Sequence, residues 1–359
     1  EVTRDTWPTE GYKLNTTLSR CENGGTISWD DKKKIVIMNS DSSEKCYVYF
    51  DIYNDTTLAT YIKSLYTGTQ GENNLYLHDD TLENGANDKS YRYAGASDTT
   101  NNFVCFGYDS KDGTCPSDNL YRIIGVFGDN VKLIKWDYAT TALLETDGDY
   151  AKTYKEFEGG SAYGTNKGSN AKVSIGVYYW NYKAGNSISN IWSTSLLNKT
   201  NLNSNFINNI GKNWADKIAT TKWSVGGNTL DSIRNVTAKT SYVNEIISPG
   251  ADITIKAKIG LMYVNDYGFA AAPSAWNTYL VNYNESDIIT VNWINMGLWE
   301  WVITPRIDAT NFVCFISYYG NVYNSDAGSY YAVRPVFYLE SSVKYVSGNG
   351  TQSSPYIID

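Results

Sequence analysis

The chain has 359 residues, of which 42% are hydrophobic and 19% charged, a balance that excludes a disordered protein and fits about two domains. The formal net charge is −8, so nucleic-acid binding would need a local basic patch, and the one lysine run (32–34) directly follows Asp30 and Asp31. No apolar stretch approaches the roughly 18 residues of a membrane-spanning helix.

The chain contains one histidine, His78, in the polar segment LYLHDD. A single histidine excludes a histidine pair on zinc and leaves any histidine-based triad dependent on this residue. Its polar neighbours predict a solvated turn residue. The 31 Tyr, 11 Trp and 29 Gly are typical of binding surfaces, and also of secreted β-rich proteins in general.

Five cysteines occur, and their spacing matches no metal-binding pattern. Cys21 and Cys46 bracket a short alternating stretch, and Cys105 and Cys115 close a small polar loop, so each pair predicts a local disulfide formed in an oxidising compartment. Cys314 is left over. A Cys105–Cys314 bridge stays open as an alternative, because the segments NNFVCF and TNFVCF resemble each other.

The first part of the chain divides into two segments. Residues 1–50 alternate apolar and polar positions between turn signals, which predicts a small all-β module of about four strands stapled by Cys21–Cys46. Residues 51–119 predict a connector that packs on the main domain. In it, helical spacing covers 55–66, and the polar run from Gly68 to Thr100 predicts irregular, exposed chain.

Residues 120–359 predict the main domain. Two strands joined by a Gly-Asp-Asn turn are expected over 120–137. Apolar residues at steps of three and four over 191–219 predict two helices broken near 199–201. Residues 257–271 predict a buried strand followed by a turn.

The last ninety residues predict a strand, a hairpin and a closing strand. No βαβ rhythm and no glycine-rich phosphate motif occurs, which excludes nucleotide-binding folds. Arg334–Pro335 is expected to start the last strand with a buried guanidinium. Alternation predicts an apolar core from this region: Ile303, Val313, Val322, Val333, Val336, Phe337 and Leu339.

Five segments of the main domain carry a family resemblance: LYRIIGVF, WSTSLLNKTNLNSNFINNIG, AKIGLMYVNDYGFAA, MGLWEW and AVRPVFYLESSVKYVSGNGT. Together they resemble a family of surface proteins from gut Firmicutes-type bacteria. The connector segments YIKSLYTGTQGENN and YRYAGASDTTNNFVCFG and the stapled N-terminal module are also similar to that family. The motifs are long, which makes the resemblance specific.

The resemblance implies an α+β fold class. The C-terminal domain would be C-type-lectin-like, with a mixed sheet, two helices and long loops, as in the formylglycine-generating-enzyme group and in the variable proteins of diversity-generating retroelements. It also implies a non-enzymatic, hypervariable adhesin or receptor, secreted or displayed on a bacterial surface. Any membrane attachment would go through an anchor outside this chain. The expected partner is an unidentified protein or glycan, without nucleic acid and without a cofactor.

In such retroelement proteins a reverse transcriptase rewrites adenines of a template, typically in AAY codons, within a constant frame. Here the frame elements MGL, EW, GNV and AVRPVFYL surround a variable region at about 299–331. The resemblance assigns ligand binding to fifteen residues in it: Trp299, Arg306, Ile307, Ala309, Phe312, Phe315, Tyr318, Tyr319, Tyr323, Asn324, Ser325, Asp326, Ser329, Tyr330 and Tyr331.

The residue types in this region fit that origin. Rewritten AAY codons cannot encode Lys, Glu, Gln, Met or Trp, and none of these five occurs from Val302 to Tyr331. Trp299 departs from this rule, and it could equally be an aromatic residue of the constant frame. Pro305 stands where a polar or basic residue is expected.

Three alternatives remain from the sequence. A glycan hydrolase would use two carboxylates, for which the chain offers Asp137, Glu300, Asp308 and Asp326 without a distinctive pairing. A structural calcium ion would take Asp79 with Asp80, or Asp147 with Asp149, although neither loop has a recognised calcium spacing. A structural subunit of a surface filament or layer would show a large self-complementary interface.

Overall fold

A computed structural model describes residues 11–30, 33, 35–39, 43–52, 55–109, 114–154, 175–182, 188–249 and 254–359. Within these residues the protein is α+β, with many short strands and few helices. The first ten residues of the expected N-terminal module lie outside the described part.

The N-terminal module is a ribbon of nested antiparallel pairs rather than a compact domain. Strand β1 pairs with β6, β2 with β5 and β3 with β4. Leu14 is its one buried apolar residue among those described, so the ribbon has almost no core of its own. Its strands are β1 Tyr12–Leu14, β2 Arg20–Cys21, β3 Thr26–Asp30, β4 Ile35–Asn39, β5 Cys46–Tyr47 and β6 Phe50–Ile52.

Both predicted disulfides are confirmed. Cys21 and Cys46 face each other across the β2–β5 pair, which fixes the middle of the ribbon. Cys105 is bonded to Cys115, and Cys314 is a buried free thiol, so the alternative Cys105–Cys314 bridge is wrong.

The main domain is built on a seven-stranded sheet in the order β16-β21-β11-β10-β8-β7, with β9 also paired to β10. The predicted hairpin at 120–137 is confirmed as β10 and β11. The expected closing strand, β21, lies inside the sheet, between β11 and β16. The strands are β7 Leu75–Leu77, β8 Tyr91–Tyr93, β9 Phe103–Cys105, β10 Leu120–Phe127, β11 Asn130–Lys135, β16 Ile259–Gly260 and β21 Val336–Tyr338.

Four smaller antiparallel sheets complete the strand inventory of the described residues: β12-β13-β20, β14-β15, β17-β18-β19 and β22-β23. Their bounds are β12 Tyr150–Tyr154, β13 Ile175–Tyr179, β14 Thr221–Ser224, β15 Thr254–Ala257, β17 Glu300–Pro305, β18 Phe312–Ile316, β19 Val322–Asp326, β20 Tyr330–Tyr331, β22 Tyr345–Ser347 and β23 Ile357–Ile358. The sheet β17-β18-β19 holds six of the fifteen residues that are assigned to ligand binding, and most of the others lie in the loops next to its strands.

The helices are short. The predicted helix near 55–66 is confirmed as α1, which begins after Thr57, whose hydroxyl accepts a hydrogen bond from the Thr60 amide. The helices are α1 Leu58–Ser64, α2 Thr141–Leu144, α3 Leu197–Phe206 with its continuation Ile207–Asn209, α4 Lys212–Ala215, α5 Leu230–Asn235, α6 Ala238–Tyr242 with its continuation Val243–Ile247, α7 Val264–Ala270 and α8 Ser286–Ile289.

The predicted helix break near 199–201 is wrong. Helix α3 is continuous there, in π-helical hydrogen bonding, and the chain breaks at Gly211, whose φ of 81° is in the left-handed region. Three asparagines at four-residue spacing line one side of α3. Asn201 and Asn205 both donate to the Leu144 carbonyl, and Asn209 donates to that of Leu143. The buried Asn201 and Asn205 and the exposed Asn209 therefore join this helix to helix α2 and the loop that follows it.

The turn expected within 257–271 is helix α7. Its first amides are satisfied by buried carboxylates, since Glu245 accepts from the Val264 and Asn265 amides and Asp266 accepts from the Tyr263 amide. Glu245 is distant in sequence and only tertiary packing brings it there. Asp266 also binds Lys132 of β11 at 2.5 Å, with both side chains buried.

The polar run 68–100 is largely irregular, as predicted, but it is not exposed throughout. It contains strands β7 and β8 of the main sheet, and His78 follows β7 fully buried. The His78 ring packs against Phe269 and Trp276, and its Nδ1 accepts a hydrogen bond from the Ala86 amide. Burial lowers the pKa of His78 well below its usual value. The prediction of a solvated His78 is therefore wrong.

The core is unusually rich in tryptophan, and all seven predicted apolar core residues are buried in it. Fully buried indoles are Trp180, Trp192, Trp223, Trp276, Trp293 and Trp301. Several of these rings use the indole N–H to bind backbone carbonyls, as Trp180 does with Val302 and Trp301 with Tyr178. Among the described residues, no helix combines the length and apolar character needed to cross a bilayer.

Candidate ligand-binding surface

The fifteen residues assigned to ligand binding share one property: none of them is buried. More than a third of the side-chain surface is exposed in Trp299, Ile307, Tyr319, Tyr323 and Tyr330. The remaining residues are half-buried: Arg306, Ala309, Phe312, Phe315, Tyr318, Asn324, Ser325, Asp326, Ser329 and Tyr331. Their frame neighbours on the same strands, such as Val313, Ile316 and Val322, are buried.

The strand register divides these residues between two faces of the β18–β19 hairpin. Residues directly opposite each other in an antiparallel pair share a face. Phe315 lies opposite Tyr323 on one face, and Phe312 lies opposite Asp326 on the other. The sequence assigned all fifteen to a single variable face, whereas the structure distributes them over two groups.

The larger group is aromatic and consists of Trp299, Phe315, Tyr318, Tyr319 and Tyr331, hereafter the aromatic group. The Trp299 ring lies 5.8 Å from that of Tyr318 and 5.4 Å from that of Tyr331. Tyr331 in turn packs 4.9 Å from Phe315. The aromatic group packs on the buried Trp301, whose ring centroid lies 4.4 Å from that of Tyr331. The exposed Trp299 ring is therefore connected through Tyr331 to a buried indole.

Serine hydroxyls orient the innermost ring of the aromatic group. The Tyr331 hydroxyl donates to Ser325 Oγ at 2.9 Å, and Ser325 donates to Ser329 Oγ at the same distance. The turn after β19 is held by Asp326, which accepts from the Gly328 amide and from Asn311 Nδ2. Three of the polar site residues therefore shape the surface by bonding to it.

The second group surrounds Arg306, at the end of β17. Its guanidinium binds both oxygens of Asp308 at 2.9 and 3.0 Å, donates to Asn324 Oδ1 at 3.2 Å and stacks over Phe312 at 5.1 Å. The hydrogen bonds to Asp308 raise the pKa of Arg306, and those same bonds lower the pKa of Asp308. The positive charge of Arg306 is therefore neutralised by Asp308, and the polar side chains of this group bind one another.

The loop that carries Ile307 and Ala309 is fixed by one asparagine from a distant part of the chain. Asn190 Nδ2 lies within 3.0 Å of the carbonyls of Arg306, Ala309 and Phe312. Its backbone amide also donates to the Thr310 carbonyl. An exposed loop held through backbone atoms keeps its path whatever side chains it carries.

A buried ion pair supports the aromatic group from below. Arg334 Nε and Nη2 bind the two carboxylate oxygens of Glu300 at 2.7 and 2.8 Å, and Nη2 also donates to the Ile294 carbonyl. This confirms the buried guanidinium expected for Arg334. Glu300 begins β17, directly after Trp299 and directly before Trp301, so the pair fixes the strand from which both indoles project.

The candidate surface includes residues outside the variable region at about 299–331. Strand β20 pairs with β13, so Tyr330 lies opposite Tyr179 and 6.1 Å from its ring, and Tyr179 packs on Tyr182. A shallow apolar pocket at this junction is lined by Ile175, Val177, Leu298, Trp299, Tyr330, Tyr331 and Ala332. The aromatic segment VYYW around β13 is the signal that could have indicated these residues.

The carboxylates considered for a glycan hydrolase each have another role. Glu300 is in the buried ion pair and Asp308 binds Arg306, while Asp326 holds the turn after β19. Asp137 accepts a hydrogen bond from the Tyr138 amide. The free thiol of Cys314 is fully buried, and burial raises its pKa well above its usual value, which makes it a poor nucleophile.

Three of the four carboxylates considered for calcium, Asp79, Asp147 and Asp149, bind N–H or O–H donors. Asp149 accepts from the amides of Tyr182, Leu196 and Leu197, and burial raises its pKa to about 6. Asp147 accepts from Asn205, and Asp79 from the Thr81 amide and hydroxyl. Donor hydrogens aimed at these oxygens occupy the positions that a cation would need.

Comparison with known proteins gave no match: no protein family matches the chain, and no curated protein or solved structure does so either. The functional assignment therefore depends on the residues and on their geometry.

Proposed function

We propose that this chain is a ligand-binding protein of the bacterial cell surface, or a secreted one, whose C-type-lectin-like domain carries a hypervariable, retroelement-diversified surface within 299–331. One observation carries the proposal: none of the fifteen assigned residues is buried, while the frame residues between them are. A surface that accepts wholesale substitution has to lie outside the core. The α+β architecture and the family resemblance of the main domain also support it.

The aromatic group would supply the binding energy. Exposed Trp and Tyr rings give large contact areas at low cost in conformational entropy, and rings already packed on one another lose little freedom on binding. The Arg306 group and the serines would select the ligand. The shallow surface favours a macromolecule, protein or glycan, over a small molecule.

The two other functions have less support. A glycan-acting enzyme needs two available carboxylates flanking a bond, and the four candidates serve the fold or pair with Arg306. A filament or layer subunit needs a self-complementary interface, for which the aromatic group offers no evident partner surface. We therefore propose a protein without catalysis and without a cofactor.

A substitution library tests the physical requirement of the proposal. We would randomise the most exposed positions, Trp299, Ile307, Tyr319, Tyr323 and Tyr330, and display the library on yeast with a protease-resistance readout of folding. A matched library would randomise five buried frame positions: Trp301, Val313, Ile316, Val322 and Val333. We expect most members of the first library to fold and almost none of the second. Equal losses in both libraries would refute a variable surface.

The retroelement origin is tested separately by sequencing the locus from several isolates. Differences concentrated at adenine-derived codons within 299–331 would support it. If residues 299–331 vary no more among isolates than the frame segment AVRPVFYL, diversification is refuted. The substitution library would then show whether the surface is still a fixed binding site.

A further inference from the structure

Lys132 and Asp266 form an ion pair in the interior of the main domain. Lys132 lies in β11, which is flanked by β10 and β21 in the seven-stranded sheet, and Asp266 lies in the first turn of helix α7. The Lys132 Nζ atom is 2.5 Å from Asp266 Oδ2, and each side chain is only 1% exposed. The two residues are 134 positions apart in the chain, so a bond between them would join the sheet to the helix.

Four aromatic rings surround the Lys132 ammonium and separate it from bulk water. The ring centroids that lie 4.6, 5.3, 5.6 and 5.7 Å from Nζ are those of Tyr263, Tyr338, Phe127 and Trp223. Two opposite charges in such a site carry a desolvation penalty that their mutual attraction repays only in part. A neutral amide at the same place carries no charge, and the surroundings therefore favour it over the ion pair.

We infer that Lys132 and Asp266 condense to an intramolecular amide, a covalent modification that joins strand β11 to helix α7. The reaction is balanced without a co-reactant. One proton passes from the ammonium to the carboxylate, and the neutral amine then attacks Cγ and forms the N–C bond. A second proton follows to the same oxygen, the C–O bond breaks, and that oxygen leaves as water. This inference does not depend on the proposed ligand-binding function.

The contacts of the Asp266 carboxyl group favour this attack. Because a carbon–oxygen bond is about 1.2 Å long, Nζ lies within roughly 3.7 Å of Cγ, close to the separation of about 3–3.5 Å from which positioned groups react. The Tyr263 amide donates to Asp266 Oδ2 at 2.8 Å, and such a donor stabilises the negative charge that develops on oxygen during the attack. The oxygen that remains in the product can still accept from this amide, so helix α7 keeps its N-terminal cap.

A lysine–carboxylate pair on the surface provides a comparison. Lys212 Nζ lies 2.6 Å from Asp216 Oδ2, almost the same distance, but these side chains are 85% and 60% exposed. Water hydrates both groups there and keeps them charged, so proximity alone should not lead to condensation. We therefore expect an amide at Lys132 and none at Lys212.

Intact-mass spectrometry of the unaltered chain tests the inference directly. After reduction of both disulfides, the mass should be about 18 Da below that of the sequence, because condensation releases one water. Trypsin should then leave the chain uncut after Lys132 and release residues 123–135 joined to residues 259–306. In the same digest the chain should be cut after Lys212. A mass equal to that of the sequence, or a peptide that ends at Lys132, overturns the inference.

Two variants identify the reacting groups. Lys132→Arg keeps the positive charge, but a guanidinium stays protonated and cannot attack, so the mass loss should disappear. Asp266→Asn keeps the size of the side chain and changes the leaving group to ammonia, so the loss should become about 17 Da. A loss of about 18 Da that persists in either variant would place the dehydration elsewhere in the chain and overturn the inference. The first test needs no variant, so it holds even if a variant fails to fold.

Discussion

The buried pair Glu300–Arg334 tests whether the surface and its frame are energetically separate. Replacing Glu300 by Leu removes the carboxylate but leaves the guanidinium in place, where 2% of its surface is exposed. The charge would keep one hydrogen bond to the Ile294 carbonyl and its position 5.5 Å from the Tyr138 ring. We expect this change to destabilise the fold far more than a change at the most exposed ring of the aromatic group, Tyr319.

The magnitude follows from the geometry. The pair has two short hydrogen bonds in fork geometry and almost no access to water, so breaking it leaves an uncompensated buried charge, at a cost of about 3–5 kcal/mol. The double variant Glu300→Leu/Arg334→Met removes both charges and should recover most of that loss. Tyr319→Ala, at the most exposed ring of the aromatic group, should change the free energy of unfolding by less than about 0.5 kcal/mol.

Urea unfolding followed by tryptophan fluorescence would measure the wild type, these three variants and the single variant Arg334→Met, which closes the double-mutant cycle. A cost below about 1 kcal/mol for Glu300→Leu would refute the role given to the pair. Additive single costs in the double variant would show that the two side chains do not act together. A loss for Tyr319→Ala as large as that for Glu300→Leu would refute the separation of surface from frame.

Three further predictions concern single residues. Asn201→Ala should cost about 2–3 kcal/mol in urea unfolding, because the Asp147 carbonyl and the Asp149 amide lose their partner and the Leu144 carbonyl loses one of its two donors, whereas the exposed Asn208→Ala on the same helix should cost almost nothing. In proton NMR, the His78 imidazole should not titrate near pH 6.5, where a free imidazole does; since burial lowers its folded pKa, the unfolded chain takes up the proton first and stability should fall below about pH 6.5, and an imidazole that titrates normally would contradict its burial. Tyr331→Ala should cost about 2–4 kcal/mol by removing a ring from Trp301, while Tyr331→Phe loses only the bond to Ser325 and about 1 kcal/mol; equal costs in thermal unfolding would contradict the packing.

Local patterns were sufficient where neighbours in sequence are also neighbours in space. Alternation and turn residues identified the 120–137 hairpin, and the helical spacing after Thr57 identified α1. Both disulfides close short segments, so cysteine spacing predicted them. The seven core residues expected in the last ninety residues are all buried, although β17 is buried along its whole length rather than on one side.

Distant partners explain where sequence reasoning was wrong. His78 looks polar from its neighbours but is enclosed by Phe269 and Trp276. The sequence of residues 264–270 predicts a turn, but the segment is a helix whose first amides donate hydrogen bonds to Glu245. Asn201, at the predicted helix break, and Asn205 lie within one continuous helix, and their amides bind a segment more than fifty residues away in the sequence.

For the candidate surface, the family resemblance seen in the sequence indicated a set of residues, none of which is buried. It could not determine which of them meet. Strand register placed the aromatic group and the Arg306 group on different faces of one hairpin, and the pairing of β20 with β13 brought in Tyr179 from outside the window. The physical reason is that a sequence pattern encodes burial position by position, whereas proximity depends on which strands pair and in which register.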